Sequence, residues 1–174
     1  MRAATLLIAC FAAACGSTKV YPPGPYGAGV GATVENLQVY DLDGEPFLLG
    51  EQYGSSTPVV IIYLAASWCF TCGPEIAWLN EQATARPELA AYVVVLQNED
   101  FETPQSEDGR RFRDGYDARI PVLVDTDRRF EPLLLSAAIP LNILVRTDRM
   151  EIMHRSEGFD SGLLDEAIQT VLEE

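Results

Sequence analysis

The chain has 174 residues with 26 acidic against 12 basic side chains, a formal net charge of −14, and 48% hydrophobic content. That balance excludes a nucleic-acid binder, whose phosphate contacts need basic side chains, while the apolar content suffices for a single core. Four cysteines and one histidine narrow the metal and redox chemistry open to it.

Met1-Arg2 is a short positive start, and Ala3 to Ala14 is an apolar stretch too short to cross a bilayer, which takes roughly 20 residues. Ala13-Ala14-Cys15-Gly16-Ser17 resembles a bacterial lipobox, so residues 1–14 are expected as a signal peptide and Cys15 as the lipidated residue. An ordinary cleaved leader that leaves Cys15 free is the alternative. Cys10, after Leu7-Ile8-Ala9, has too little apolar sequence ahead of it for lipidation and departs with the leader. Gly16 lacks the aspartate that commonly signals inner-membrane retention, which favours the outer membrane. Ser17 to Ala32 (STKVYPPGPYGAGVGA) is rich in Pro and Gly without periodicity, so residues 15–32 read as anchor and tether and residues 33–174 as one domain.

Leu37-Gln38-Val39-Tyr40 and Pro46-Phe47-Leu48-Leu49 flank Asp43-Gly44, which predicts a hairpin. Residues 58–64 (PVVIIYL) read as a buried strand, and GPEIAWLNEQATAR, with Ile76, Leu79 and Ala83 on one side, as a helix to about Arg86. Residues 92–96 predict a second buried strand. Ser106 to Tyr116 follows as a polar helix, Pro121 to Val124 as a short strand, and Arg128 to Ser136 as a short helix interrupted near Pro132. Leu141 to Val145 and Met150 to His154 form a strand pair around Asp148-Arg149, and Gly162 to Leu172 closes as an amphipathic helix with Leu163, Ala167, Ile168 and Val171 on one side. Strands alternating with helices predict an α/β sandwich around one mixed sheet.

Between the strand ending at Leu64 and the helix lies Trp68-Cys69-Phe70-Thr71-Cys72. Cys69 there faces the free N–H groups and positive end of the helix, which favour a thiolate, with Cys72 in the first turn. That makes Cys69 the candidate nucleophile and Cys72 the resolving thiol. Half a zinc site has the same spacing, but no second CxxC or histidine pair supplies the other ligands.

These residues together resemble the TlpA/ResA-like branch of the thioredoxin superfamily, within the redoxin group, over about Gly31 to Glu174. The resemblance rests on WCFTC, Asp41-Leu42-Asp43-Gly44, Glu75 three residues after Cys72, Pro121-Val122-Leu123-Val124-Asp125, and Ile139-Pro140. It implies a thioredoxin-like α/β fold: a mixed central sheet flanked by helices, with an N-terminal β-hairpin and an inserted αβ unit. It also implies a thiol–disulfide oxidoreductase, needing no bound cofactor, that acts on protein disulfides or dithiols in the periplasm-facing envelope and can draw electrons from a membrane thiol reductase. Ile139-Pro140 falls where the family has a cis-proline loop beside the dithiol. Carried over, Ile139 offers its backbone to substrate, Pro140 shields the dithiol from metals, and Trp68 packs beside the motif. Glu75 falls where the branch has a glutamate that can take the Cys72 proton or raise thiol pKa; otherwise it is a first-turn acid favourable to the helix dipole.

Three departures stand out. Tyr63 replaces the buried aspartate of thioredoxins proper, Ala77 replaces the usual helix proline, and Phe70-Thr71 replaces the common dipeptides between the cysteines. The competing classes are a copper-handling redoxin-like module, which needs CxxxC and a nearby histidine, and a thiol peroxidase, which needs an arginine-supported cysteine. His154 is expected at a strand edge, Arg110-Arg111-Phe112-Arg113 on a solvated helix face, Glu99-Asp100 in a loop, and Trp78 and Phe101 in packing roles.

Overall fold

Asp41 closes the first turn: its Oδ1 accepts from the N–H groups of Asp43 and Glu45 at 2.8 and 2.9 Å, and Gly44 takes the φ of +85° that the turn requires. This computed structural model, which describes residues 20–173, thus joins β1 (Gln38–Tyr40) and β2 (Pro46–Leu48) as the expected hairpin. The other elements are β3 (Val59–Ala65), α1 (Gly73–Ala85), β4 (Leu89–Val95), α2 (Ser106–Gly115), β5 (Val122–Val124), β6 (Leu141–Arg146), β7 (Glu151–Glu157) and α3 (Ser161–Glu173).

The sheet has seven strands in the order β2-β1-β5-β4-β3-β6-β7. Strands β3, β4 and β5 run parallel, and β6 returns antiparallel beside β3. All seven residues of β3 are buried, as expected of a central strand covered on both faces. Its alternation divides the core in two. Val59, Ile61, Tyr63 and Ala65 meet Ile76 and Leu79 of α1, Phe112 of α2 and Ile168 of α3. Val60, Ile62 and Leu64 meet Val34, Leu37, Leu49, Phe130 and Met150 on the other face. The α2–β5 unit packs closely because Gly109 has no side chain; a Cβ there would stand 2.6 Å from Leu42 Cδ2 and 2.7 Å from Val124 Cγ1.

The mixed sheet, hairpin and inserted αβ unit agree with expectation, with differences at three places. β4 begins at Leu89, not Tyr92, because its seven-residue register with β3 carries Ala90 and Ala91 into the sheet despite their weak strand preference. The helix expected over residues 128–136 is a single 3-10 turn, Glu131–Leu133. Its approach is tied instead by buried Asp125, whose two oxygens accept the N–H groups of Arg129 and Phe130.

The third difference is the expected tether. From Tyr21 onward it lies against the domain: the Tyr21 hydroxyl donates to the Val34 carbonyl at 2.8 Å and its ring meets Tyr53 at 5.7 Å. Residues 31–34 bond to Met150 and Ile152, covering that part of the β7 edge. Aromatic anchors and backbone pairing, neither periodic in sequence, hold it there. Residues 1–14 and Cys15 lie outside the described residues.

Candidate active site

β3 ends at Ala65, and the chain turns through residues 66–72 into α1. Cys69 N–H donates to Ala66 O and Cys72 N–H to Cys69 O, and Ile76 N–H to Cys72 O opens the helix. Cys72 is therefore the N-cap, just outside the first turn where it was expected. Cys69 and Cys72 form a disulfide with their Cα atoms 5.6 Å apart. Cys69 is 3% exposed and Cys72 fully buried, whereas Phe70 between them is 93% exposed. Cys69 is thus the more exposed residue of the pair and stands ahead of the positive end of α1, a placement that favours a thiolate.

The loop is held from two sides. Trp68 stacks on Phe101 with ring centroids 5.3 Å apart, and its Nε1 donates to Gln97 Oε1 at 3.0 Å. Ser67 N–H adds a bond to the Gln97 carbonyl. Opposite, the Tyr116 hydroxyl donates to the Cys69 carbonyl at 2.7 Å. The Tyr116 ring lies so near Gly73 that a Cβ there would come within 3.3 Å of it. Asn80 supports that corner, its Oδ1 accepting from the N–H groups of Arg119 and Ile120 and its Nδ2 donating to the Asp117 carbonyl. Tyr116 and Asn80 were not legible as site residues, since their partners lie 37 to 47 positions away.

Glu75 is fully buried. Its Oε1 accepts from Asn142 Nδ2 at 2.6 Å, and Asn142 on β6 is the direct cross-strand partner of Tyr63 on β3. Burial raises the Glu75 pKa from 4.5 to about 7, opposed by Asn142 and by the nearby Tyr63 hydroxyl. Burial and the same carboxylate push the Tyr63 phenol upward. Tyr63 Oη, Glu75 Oε2 and Asn142 Oδ1 meet no partner at full hydrogen-bond geometry, yet the neutral phenol, as a nearby donor, still favours the ionised carboxylate. Where thioredoxins have a buried aspartate on the strand, this chain has a phenol on β3 and a carboxyl on α1. The first-turn position of Glu75 was readable from sequence; Asn142 was not.

Ile139 packs on the cluster that contains both cysteines, the Ile139–Pro140 peptide is cis, and the Pro140 carbonyl accepts from Gly158 N–H. Trp78 meets Phe159 with centroids 6.0 Å apart. Phe101, expected as packing, is 66% exposed. His154 pairs with Leu144 from β7, the edge strand of the sheet, where it is expected; it is half-buried there, and burial lowers its pKa. Arg110 bonds the Leu42 carbonyl and Asp43, Arg111 bonds Asp108, and Arg113 bonds Asp114. Among the described residues no cluster of three His, Cys, Asp or Glu is placed to hold a metal.

A parallel three-strand core, a returning antiparallel pair and a CxxC disulfide capping the first long helix define a thioredoxin-like fold. The solved structures it resembles are thioredoxin-like and thiol–disulfide interchange proteins. One named as thiol:disulfide interchange protein DsbE, from Chlorobium tepidum, matches at TM-score 0.69 and 18% identity over 84% of this chain and 99% of that one. The pneumococcal exposed lipoprotein thioredoxin of Streptococcus pneumoniae matches at 0.64 and 21%, over 80% and 100%. A secreted disulfide oxidoreductase of Mycobacterium tuberculosis matches at 0.60 and 16%, over 78% and 96%. No protein-family model and no curated protein sequence matches the chain.

Proposed function

We propose that the protein is a thiol–disulfide oxidoreductase of the cell envelope, exchanging its Cys69–Cys72 pair with exported protein substrates. The observation that carries this is the Cys69–Cys72 disulfide at the N-terminus of α1, with the buried carboxyl of Glu75 three residues further along the same helix. In the reducing direction the Cys69 thiolate attacks one sulfur of a substrate disulfide, the substrate S–S bond breaks, and the other substrate sulfur leaves as a thiolate. Cys72 then loses its proton to Glu75 and attacks Cys69 Sγ. The mixed disulfide breaks, the Cys69–Cys72 bond forms, and the second substrate sulfur departs as a thiolate. Two electrons pass from the dithiol to the substrate, and the two thiolates take protons from solvent.

In this reading the Ile139 backbone pairs with the substrate segment, Pro140 shields the dithiol, and Trp68 walls one side of the cleft. Cys15 carries the lipid that anchors the chain, with the outer membrane favoured, and a membrane thiol reductase restores the dithiol. The test is insulin reduction with dithiothreitol as electron source. Cys69→Ser should abolish turnover, and Cys72→Ser should accumulate mixed disulfides through Cys69. Full activity in both variants refutes the dithiol mechanism.

A further inference from the structure

The two sides of the disulfide are built alike. Glu99-Asp100-Phe101-Glu102 follows β4, and Glu157, the last residue of β7, leads into Gly158-Phe159-Asp160, so each turn holds a phenylalanine with acids on both sides. Each phenylalanine meets a tryptophan: Phe101 stacks on Trp68 of the motif, and Phe159 tilts against Trp78 of α1. The strand register brings both loops to the disulfide end, because Val95 pairs with Ala65, Glu157 with Leu141, and Leu141 with Leu64. The five acids are exposed, as are both phenylalanines and Phe70 between the cysteines. A cavity of about 330 Å³ opens beside Phe101, lined by Gln97, Glu102, Thr103, Arg128 and Glu131.

Among the described residues, several arginines are engaged by acids. Arg128 is bonded to Glu131 at 2.6 Å. Arg110, Arg111 and Arg113 lie on α2 with acidic partners, and Arg146 and Arg149 stand at the β6–β7 turn beside Asp148. The rim therefore offers exposed aromatic faces next to carboxylates, and the arginine lining the cavity beside Phe101, Arg128, is paired with Glu131. Such a surface suits one chemistry: aliphatic stems and cationic heads laid over aromatic rings, with carboxylates alongside, while acidic chains are repelled.

We propose that the two loops select the substrate, an extended polypeptide whose disulfide cysteine is flanked by lysine or arginine and by an apolar residue. This rests on the oxidoreductase reading above. The test uses the reduced protein and two peptides with intramolecular disulfides, identical except for lysine or glutamate beside the cysteines, followed in single turnover. At low ionic strength the lysine peptide should react about tenfold faster or more, and the preference should shrink to within about twofold in 0.5 M salt. The combined variant Glu99→Gln, Asp100→Asn, Glu102→Gln should cut the preference at least threefold. Equal rates at low salt, or a preference that survives both salt and neutralisation, overturns the selection proposal and leaves the oxidoreductase reading standing. Reduction of neither peptide overturns that reading and the selection with it.

Discussion

Replacing Glu75 by glutamine keeps the shape of the side chain and an oxygen for Asn142 to bond, while removing the charge. The folded-state pKa of about 7 against the ordinary 4.5 means that burial disfavours ionisation, so the native state binds more protons than the unfolded chain between those values. Stability from this group is therefore complete below about pH 4.5 and lost as pH rises through about 7. At about 1.4 kcal/mol per pH unit the whole loss is roughly 3 kcal/mol, most of it between pH 5 and pH 8. Urea unfolding of the oxidised protein at those two pH values should show wild type losing about 2–3 kcal/mol more than Glu75→Gln. The same substitution removes the proton acceptor for Cys72, so resolution of mixed disulfides should slow on the order of 100-fold, while the Cys69 thiolate titrates at lower pH. Equal pH dependence of stability in the two proteins, together with unchanged resolution rates, refutes the reasoning and returns Glu75 to a first-turn acid.

Three further outcomes are expected. Tyr116→Phe removes the bond to the Cys69 carbonyl and should cost about 1 kcal/mol in chemical unfolding; an unchanged denaturation midpoint would show that the hydroxyl does not hold the loop. Asn80→Ala leaves the Arg119 and Ile120 N–H groups without their acceptor and should lower stability by about 2–3 kcal/mol, read by urea titration. Expressed with its own leader, the protein should partition with membranes and Cys15→Ser should release it or leave it unprocessed; a mature N-terminus without acyl chains by mass spectrometry removes the anchor.

What was legible in advance followed from local chemistry. The strand–CxxC–helix order is written in continuous apolar residues, a turn and helical spacing, and Asp43-Gly44 marks its own hairpin. Glu75 was visible because three residues on a helix is a fixed geometry. The partners that give Glu75 its character were not, because Asn142 reaches it only once β6 pairs with β3. Tyr116 and Gln97 were hidden for the same reason, each meeting the motif through tertiary contact between distant segments. Phe101 illustrates the converse: an aromatic residue in sequence suggests packing, and only the structure shows that it stacks on Trp68 while keeping a face to water.

The segment from Tyr21 to Val34 also sets the direction in which the molecule faces. Tyr21 and Val34 are pinned beside Tyr53 and Met150, near the end of β3 where Val59 pairs with Arg146. The disulfide stands at the other end of that strand, about 20 Å away at roughly 3.3 Å per residue. The first described residue, Val20, therefore enters the domain on the side remote from Cys69. In the proposed anchored protein, the chain would enter the domain at one end and offer its sulfurs at the other. Soluble partners would meet the sulfurs freely, while a donor embedded in the same membrane would have to rise the height of the domain to reach them.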